Sequence, residues 1–135
     1  MHVLGTEYPG GPAAAVVAGL SLCESDVVGV LAVDMPFAHV ALAQIRDAVR
    51  RDPDAEGWIP VDERGRQQWL CAAYSRSALS VSARSRPDWS GEPFGRLVGS
   101  LDSIEVPIDH GVSLLDVDTP ADLERARRES TQREG

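Results

Sequence analysis

Lysine is absent from this 135-residue chain: all thirteen basic side chains are arginine. Chemistry that needs a lysine nucleophile, a Schiff base or the lysine of a phosphate-binding P-loop is excluded for these residues. Cysteine is scarce too. Cys23 and Cys71 stand far apart among apolar neighbours, with no second Cys or His at metal-ligand spacing, and read as reduced core residues. His2, His39 and His110 occur singly, outside any Ser/His/Asp or Cys/His pattern, and receive no catalytic role. No apolar run approaches membrane-spanning length, and Met1 to Gly5 has neither a basic n-region nor a long apolar h-region, so the expectation is a cytoplasmic protein without membrane contact. A net charge of −8 disfavours nucleic acid as a partner, so any phosphate must be met locally.

The hydrophobic content of 43% is ordinary for a soluble globule, and the length suits one domain with its own core. The expected division is a single domain over 1–128 and a polar tail over 129–135. Tyr8-Pro9-Gly10-Gly11-Pro12 is a turn cluster opening an alanine-rich helix over Ala13 to Leu22, with Pro12 at the first helical position. Val27 to Val33 is apolar enough for a buried strand. A second helix after Pro36 turns Val40, Ala43 or Leu42, Ile45 and Val49 inward and ends at Arg50-Arg51-Asp52-Pro53. Gly57 to Val61 and Gln67 to Tyr74 form a hairpin-like pair around the charged turn 62–66. Ser75 caps a short helix through Ala83, Arg84 to Pro93 is a loop, a helix follows from about Phe94 to Leu101, and Ile104 to Pro107 is a short strand. Leu114 to Asp118 is the last strand, followed by a helix to Arg128 with Thr119 as cap, Pro120 in first position and Asp122 in the capping box. This alternation predicts an α/β fold, a mostly parallel sheet with helices on both faces.

In open sheets of this kind ligands bind outside the carboxyl ends of the strands. Asp34 sits at such an end, directly before Met35-Pro36. Two readings stand: a turn aspartate where a strand stops, or a carboxylate that holds a metal ion on a phosphate. The glycine loop at Gly10-Gly11, Asp34, and Asp116-Val117-Asp118 would meet at one edge of the sheet.

In chain order, Pro9-Gly10-Gly11-Pro12-Ala13-Ala14, Val33-Asp34-Met35-Pro36, Gln68 to Tyr74, and Asp116-Val117-Asp118-Thr119-Pro120-Ala121-Asp122-Leu123 resemble the molybdenum cofactor guanylyltransferase family of the nucleotidyltransferase superfamily, from Glu7 to Arg128. The resemblance implies a Rossmann-like nucleotidyltransferase fold and transfer of GMP from GTP to molybdopterin with Mg²⁺, pyrophosphate leaving. Asp34 then matches the aspartate that carries Mg²⁺ on the nucleotide phosphates and is the catalytic candidate. Gly10 and Gly11 match the loop against the guanine base, where a missing Cβ lets backbone approach the ring. Asp116 and Asp118 match positions near the reacting phosphates and the pterin, Asp118 as a second metal contact; the alternatives are that Asp118 simply precedes a capped helix start and that Asp116 accepts hydrogen bonds from a neighbouring loop. Gln68 falls on the expected pterin side. Trp69 beside it reads as core packing, and Arg64, Arg66 and Arg96 read as solvated arginines or as partners for the molybdopterin phosphate.

The family's initial strand, its basic Gly-rich phosphate loop and the lysine that follows have no counterpart here. The expectation is therefore a longer parent chain, through a start assigned too far downstream or a fragment, or else a short relative that no longer catalyses. Three functions remain open: the guanylyltransferase, a non-catalytic nucleotide-binding or interaction module of the same fold, and a transferase of the same fold using another nucleotide such as CTP. Loss of the first strand would expose strand edges that a second copy or a completing partner could cover.

Overall fold

A computed structural model describes residues 1–32 and 38–108. Five strands form one sheet in the order β1-β2-β4-β3-β5: β1 His2–Gly5, β2 Val27–Leu31, β3 Gly57–Val61, β4 Cys71–Ser75 and β5 Ser103–Pro107. β1 runs parallel to β2 and β3 parallel to β5, while β4 is antiparallel to both of its neighbours, β2 and β3. Four strands thus share a direction and β4 alone is reversed, the mostly parallel sheet expected from the β/α alternation.

Helices α1 (Pro12–Leu20), α3 (Arg76–Ala83) and α4 (Phe94–Val98) cover one face, and α2 (Ala38–Arg51) covers the other. The period of two along the strands divides the core accordingly. Val28 and Val30 of β2, Ile59 of β3, and Ala72 and Tyr74 of β4 pack with Ala13, Val16, Leu79, Phe94 and Leu97. Trp58 of β3, Cys71 and Ala73 of β4, and Val106 of β5 pack instead with Ala41, Ile45 and Ala48 of α2. With both faces covered, apolar residues run continuously along β2 and β4 rather than alternating with polar ones. On one side Tyr74 and Phe94 meet edge to face at 6.1 Å; on the other, the Trp58 indole N–H donates to the Asp52 carbonyl at 3.0 Å and ties β3 to the exit of α2.

Several local expectations are met. Pro12 takes the first turn of α1, and the buried Ala13, Ala14, Ala15 and Val16 are small enough for close approach to the sheet. Ser75 is the N-cap of α3, its Oγ accepting from the Ala78 N–H at 3.3 Å. Cys23 and Cys71 are buried free thiols whose pKa values burial pushes up.

Other expectations are corrected. The inward stripe of α2 is Ala41, Ile45 and Ala48, with Ala43 exposed and Val40, Leu42 and Val49 half-buried at the flanks. The large Trp58 ring opposite is accommodated by small residues, and their spacing of four and three keeps one helical face. β4 begins at Cys71, since the stretch before it turns sharply: Gln67 makes an isolated bridge to Val61 and the Cys71 N–H returns to the Gln68 carbonyl. α4 stops at Val98, where Gly99 closes the helix on the Gly95 carbonyl. No element is expected from sequence at His2–Gly5, yet β1 forms there by pairing its whole length with the buried β2. Four residues including a histidine are too short a run to announce a strand without that partner.

Candidate functional site

Because β1, β2, β3 and β5 share a direction, their carboxyl ends lie at one edge, and the amino end of the reversed β4 joins them there. The connection Thr6–Gly11 leaves β1 at this edge, β2 ends there at Leu31, the turn 62–70 joins β3 to β4, and β5 ends at Pro107. A direct hydrogen bond from the Ala32 N–H to the Leu70 carbonyl, at 2.8 Å, fastens the exit of β2 to the entry of β4.

Gly10 and Gly11 lie in the connection that leaves β1, the strand at the margin of the sheet. The Gly11 N–H donates to the Tyr8 carbonyl at 3.1 Å, closing a tight turn with Pro9 and Gly10 in the middle; Gly10 has φ +102°, where a side chain is strained. Gly11 has φ 95° and ψ −178°, a region essentially reserved to glycine, and stands as N-cap of α1. The two differ in surroundings. A Cβ on Gly10 would lie 3.0 Å from Ser90 Oγ and 3.3 Å from Ser90 Cα, whereas a Cβ on Gly11 would meet nothing within 4 Å. Gly11 therefore leaves its Cα uncovered, the space a flat ligand lying on the main chain requires, while its N–H is held by the Tyr8 carbonyl and its carbonyl accepts from the Ala15 N–H at 3.0 Å.

Gln68 lies on the same edge, but its amide is engaged within its own turn: Nε2 donates to Asp62 Oδ2 at 3.3 Å and to the Arg66 carbonyl at 3.4 Å. Asp62 Oδ1 accepts from the Arg66 and Arg64 N–H groups, each at 2.9 Å. These bonds, that from Arg66 foremost, hold the Asp62 carboxyl below its ordinary pKa, with the charges of both arginines adding to the effect. Arg64 and Arg66 are exposed on this turn. Trp69 packs against the core and its indole N–H donates to Gln67 Oε1 at 2.8 Å, in keeping with a packing role. Arg96 faces Glu92 at 3.6 Å.

Asp34, Asp116 and Asp118 lie outside the described residues, as do the expected last strand, its helix with Thr119, Pro120 and Asp122, and the tail. Among the described residues no group of three His, Cys, Asp or Glu side chains is placed to hold a metal ion. Also among them, no helix is long and apolar enough to cross a membrane.

One neighbour of the glycine loop is not evident from sequence. The loop after α3 comes back to this edge, where the Gly91 N–H donates to the Gly10 carbonyl at 2.8 Å. Its anchor is Trp89, 3% exposed, whose indole N–H donates to the Ala83 carbonyl at 2.9 Å. The signal that could have found it is a large apolar ring inside a stretch of Ser, Arg, Asp and Pro.

A doubly covered, mostly parallel sheet with an open glycine turn at its carboxyl edge defines an α/β domain of the nucleotide-handling kind. The sequence matches the MobA-like NTP transferase domain over residues 1–101, and the chain belongs to that family. The crystal structure of molybdopterin-guanine dinucleotide biosynthesis protein A from Archaeoglobus fulgidus shares the fold at a TM-score of 0.56 and 21% sequence identity. The match covers 89% of this chain and 63% of that one. No curated protein sequence matches the chain. The fold is thus that of the MobA-like NTP transferase domain.

Proposed function

We propose that this domain serves molybdenum cofactor synthesis, in transfer of GMP from GTP to the terminal phosphate of molybdopterin with release of pyrophosphate. The observation that carries this reading is the uncovered Cα of Gly11 in the glycine turn after β1, whose end is paired with the end of β2. A purine can lie on the glycine turn while its phosphates extend toward the end of β2. Holding both substrates in line accounts for much of the rate in such a transfer, and no covalent intermediate on the protein is required. Asp34 is the proposed ligand of Mg²⁺, with Asp118 as a second contact; the ion would supply neutralisation of phosphate charge. Asp116 and Gln68 are the residues proposed near the pterin, which for Gln68 means releasing its amide from Asp62. The cytoplasm is the proposed compartment, and a second copy or a completing chain is the proposed cover for the β1 edge.

Calorimetric titration of GTP and CTP into the protein, with and without Mg²⁺, tests this reading. GTP is expected to bind at least about tenfold more tightly than CTP, a difference of about 1.4 kcal/mol. Mg²⁺ is expected to strengthen GTP binding in the native protein and not in Asp34→Asn. Equal affinity for the two nucleotides would overturn the guanine assignment, and an unchanged Mg²⁺ effect in Asp34→Asn would overturn that of the metal. A second reading, a nucleotide-binding module without catalysis, is favoured by the absence of lysine from the chain. It requires GTP binding with no pyrophosphate release when molybdopterin is added.

A further inference from the structure

We infer that the turn Asp88–Glu92 is a positioning element for the glycine loop, fixing Gly10 so that the uncovered Cα of Gly11 stays available to the ligand. The inference rests on the reading that Gly10-Gly11 receives a nucleotide base.

The contact is made in two ways. The Gly91 N–H holds the Gly10 carbonyl at 2.8 Å, and Ser90 fills the space that a Cβ on Gly10 would need. Gly10 is thereby prevented from rotating its peptide or moving toward the turn. Gly11, next in the chain, has no neighbour against its Cα, and its conformation is set by Gly10 before it, by the Tyr8 carbonyl that takes its N–H, and by the Ala15 N–H that its own carbonyl accepts at 3.0 Å.

The turn is itself braced from three sides. Trp89 plugs the core beneath it and bonds to the Ala83 carbonyl at the end of α3. Asp88 Oδ1 accepts the Ser90 N–H at 2.9 Å, shaping the two residues that touch Gly10. Glu92 receives Arg86 at 3.2 Å on one oxygen and faces Arg96 at 3.6 Å on the other, while the Arg86 guanidinium lies 5.8 Å from the Trp89 ring centroid. Such bracing exceeds what a surface connection between α3 and α4 needs. Its rigid end is delivered to the glycine turn that follows β1 at this edge, and preorganisation of a binding loop requires such a support.

The test compares Asp88→Ala, Asp88→Asn and Ser90→Leu with the native protein. All alter exposed side chains, so the fold should survive. Three quantities are read: amide exchange at Gly91, the thermal midpoint, and affinity for GMP from an amide-resolved NMR titration. Asp88→Ala removes the acceptor that shapes the turn and is expected to speed Gly91 exchange and to weaken GMP binding about fivefold, as loss of one ordering hydrogen bond allows. Asp88→Asn keeps an acceptor oxygen and should restore the affinity to within about twofold of native. Ser90→Leu pushes on Gly10 directly and should weaken GMP with a thermal midpoint near the native one. Faster Gly91 exchange with unchanged GMP affinity would overturn the inference and leave the turn as scaffold alone. A native protein that shows no GMP-dependent shift at Gly10, Gly11 or Gly91 while binding GMP elsewhere would also overturn it. No GMP binding at all would instead remove the base-site reading beneath it, and that outcome is seen in the native protein before any variant is made.

Discussion

Asp62 shows how a single carboxylate organises the turn at the candidate edge. It accepts two backbone N–H groups and the Gln68 amide, and these bonds favour its charged form. A folded pKa below the ordinary value means that Asp62 favours the folded turn above the usual carboxylate range and loses that contribution as the pH falls through its depressed value. Titrating from about pH 6 to about pH 2, the Arg64 and Arg66 amide resonances are expected to stay native-like at the ordinary Asp midpoint of about 3.9 and to change only below it. In Asp62→Asn the same resonances should lose that step, since the amide oxygen accepts without titrating. A step at or above the ordinary midpoint would contradict the geometry. At this scale sequence was informative about residue type more than role. Gly10 and Gly11 were legible as a turn pair and Trp69 as packing, because local chemistry decides them. The engagement of Gln68 was not, since an amide has no preference that reveals which acceptor it finds.

Among the elements, α3 is the one most fully written in its own residues. Ser75 ends β4 and caps α3 at once, so its loss touches both. Ser75→Ala is expected to lower stability by about 1 kcal/mol in urea unfolding, with Ser75→Asp close to native because it retains an acceptor at the cap. Loss of less than about 0.3 kcal/mol would mean that the capping bond does not stabilise the helix. α1 was equally legible from Pro12 and the alanines behind it. The stripe of α2 was legible only approximately: Ala43 and Ala41 have the same helix propensity, and which one faces inward depends on Trp58, on the sheet face that α2 covers. β1 and the Trp89 anchor were hidden for a related reason. Both depend on contacts distant in sequence, one with β2 and the other with the end of α3.

For the whole described molecule the governing fact is that two apolar clusters share one sheet. Trp58 belongs to the α2 side and Trp89 to the side of α1, α3 and α4, yet β3 and β4 contribute residues to both. Neither layer can dissolve and leave the other its backing. The protein is therefore expected to unfold in one transition, with tryptophan fluorescence and far-ultraviolet circular dichroism giving the same urea midpoint. Separate midpoints would show the two layers to be independent. The α/β class was visible in the alternation of elements, while the strand order was not. A crossover obeys no local pattern, and only the pairing of β4 between β2 and β3 reveals it.

That reversed strand also acts as the alignment key of the edge. Cys71 and Ala73 serve one layer while Ala72 and Tyr74 serve the other. A slip of β4 by one residue would exchange all four, driving the Tyr74 ring into the space of Ala73 and leaving its hydroxyl without the Trp69 carbonyl that it reaches at 2.8 Å. Misregistration is thus penalised on both faces at once. Since β1–β2 and β3–β5 touch the sheet's centre only through β4, its register sets how the glycine turn after β1 is placed relative to the 62–70 turn after β3.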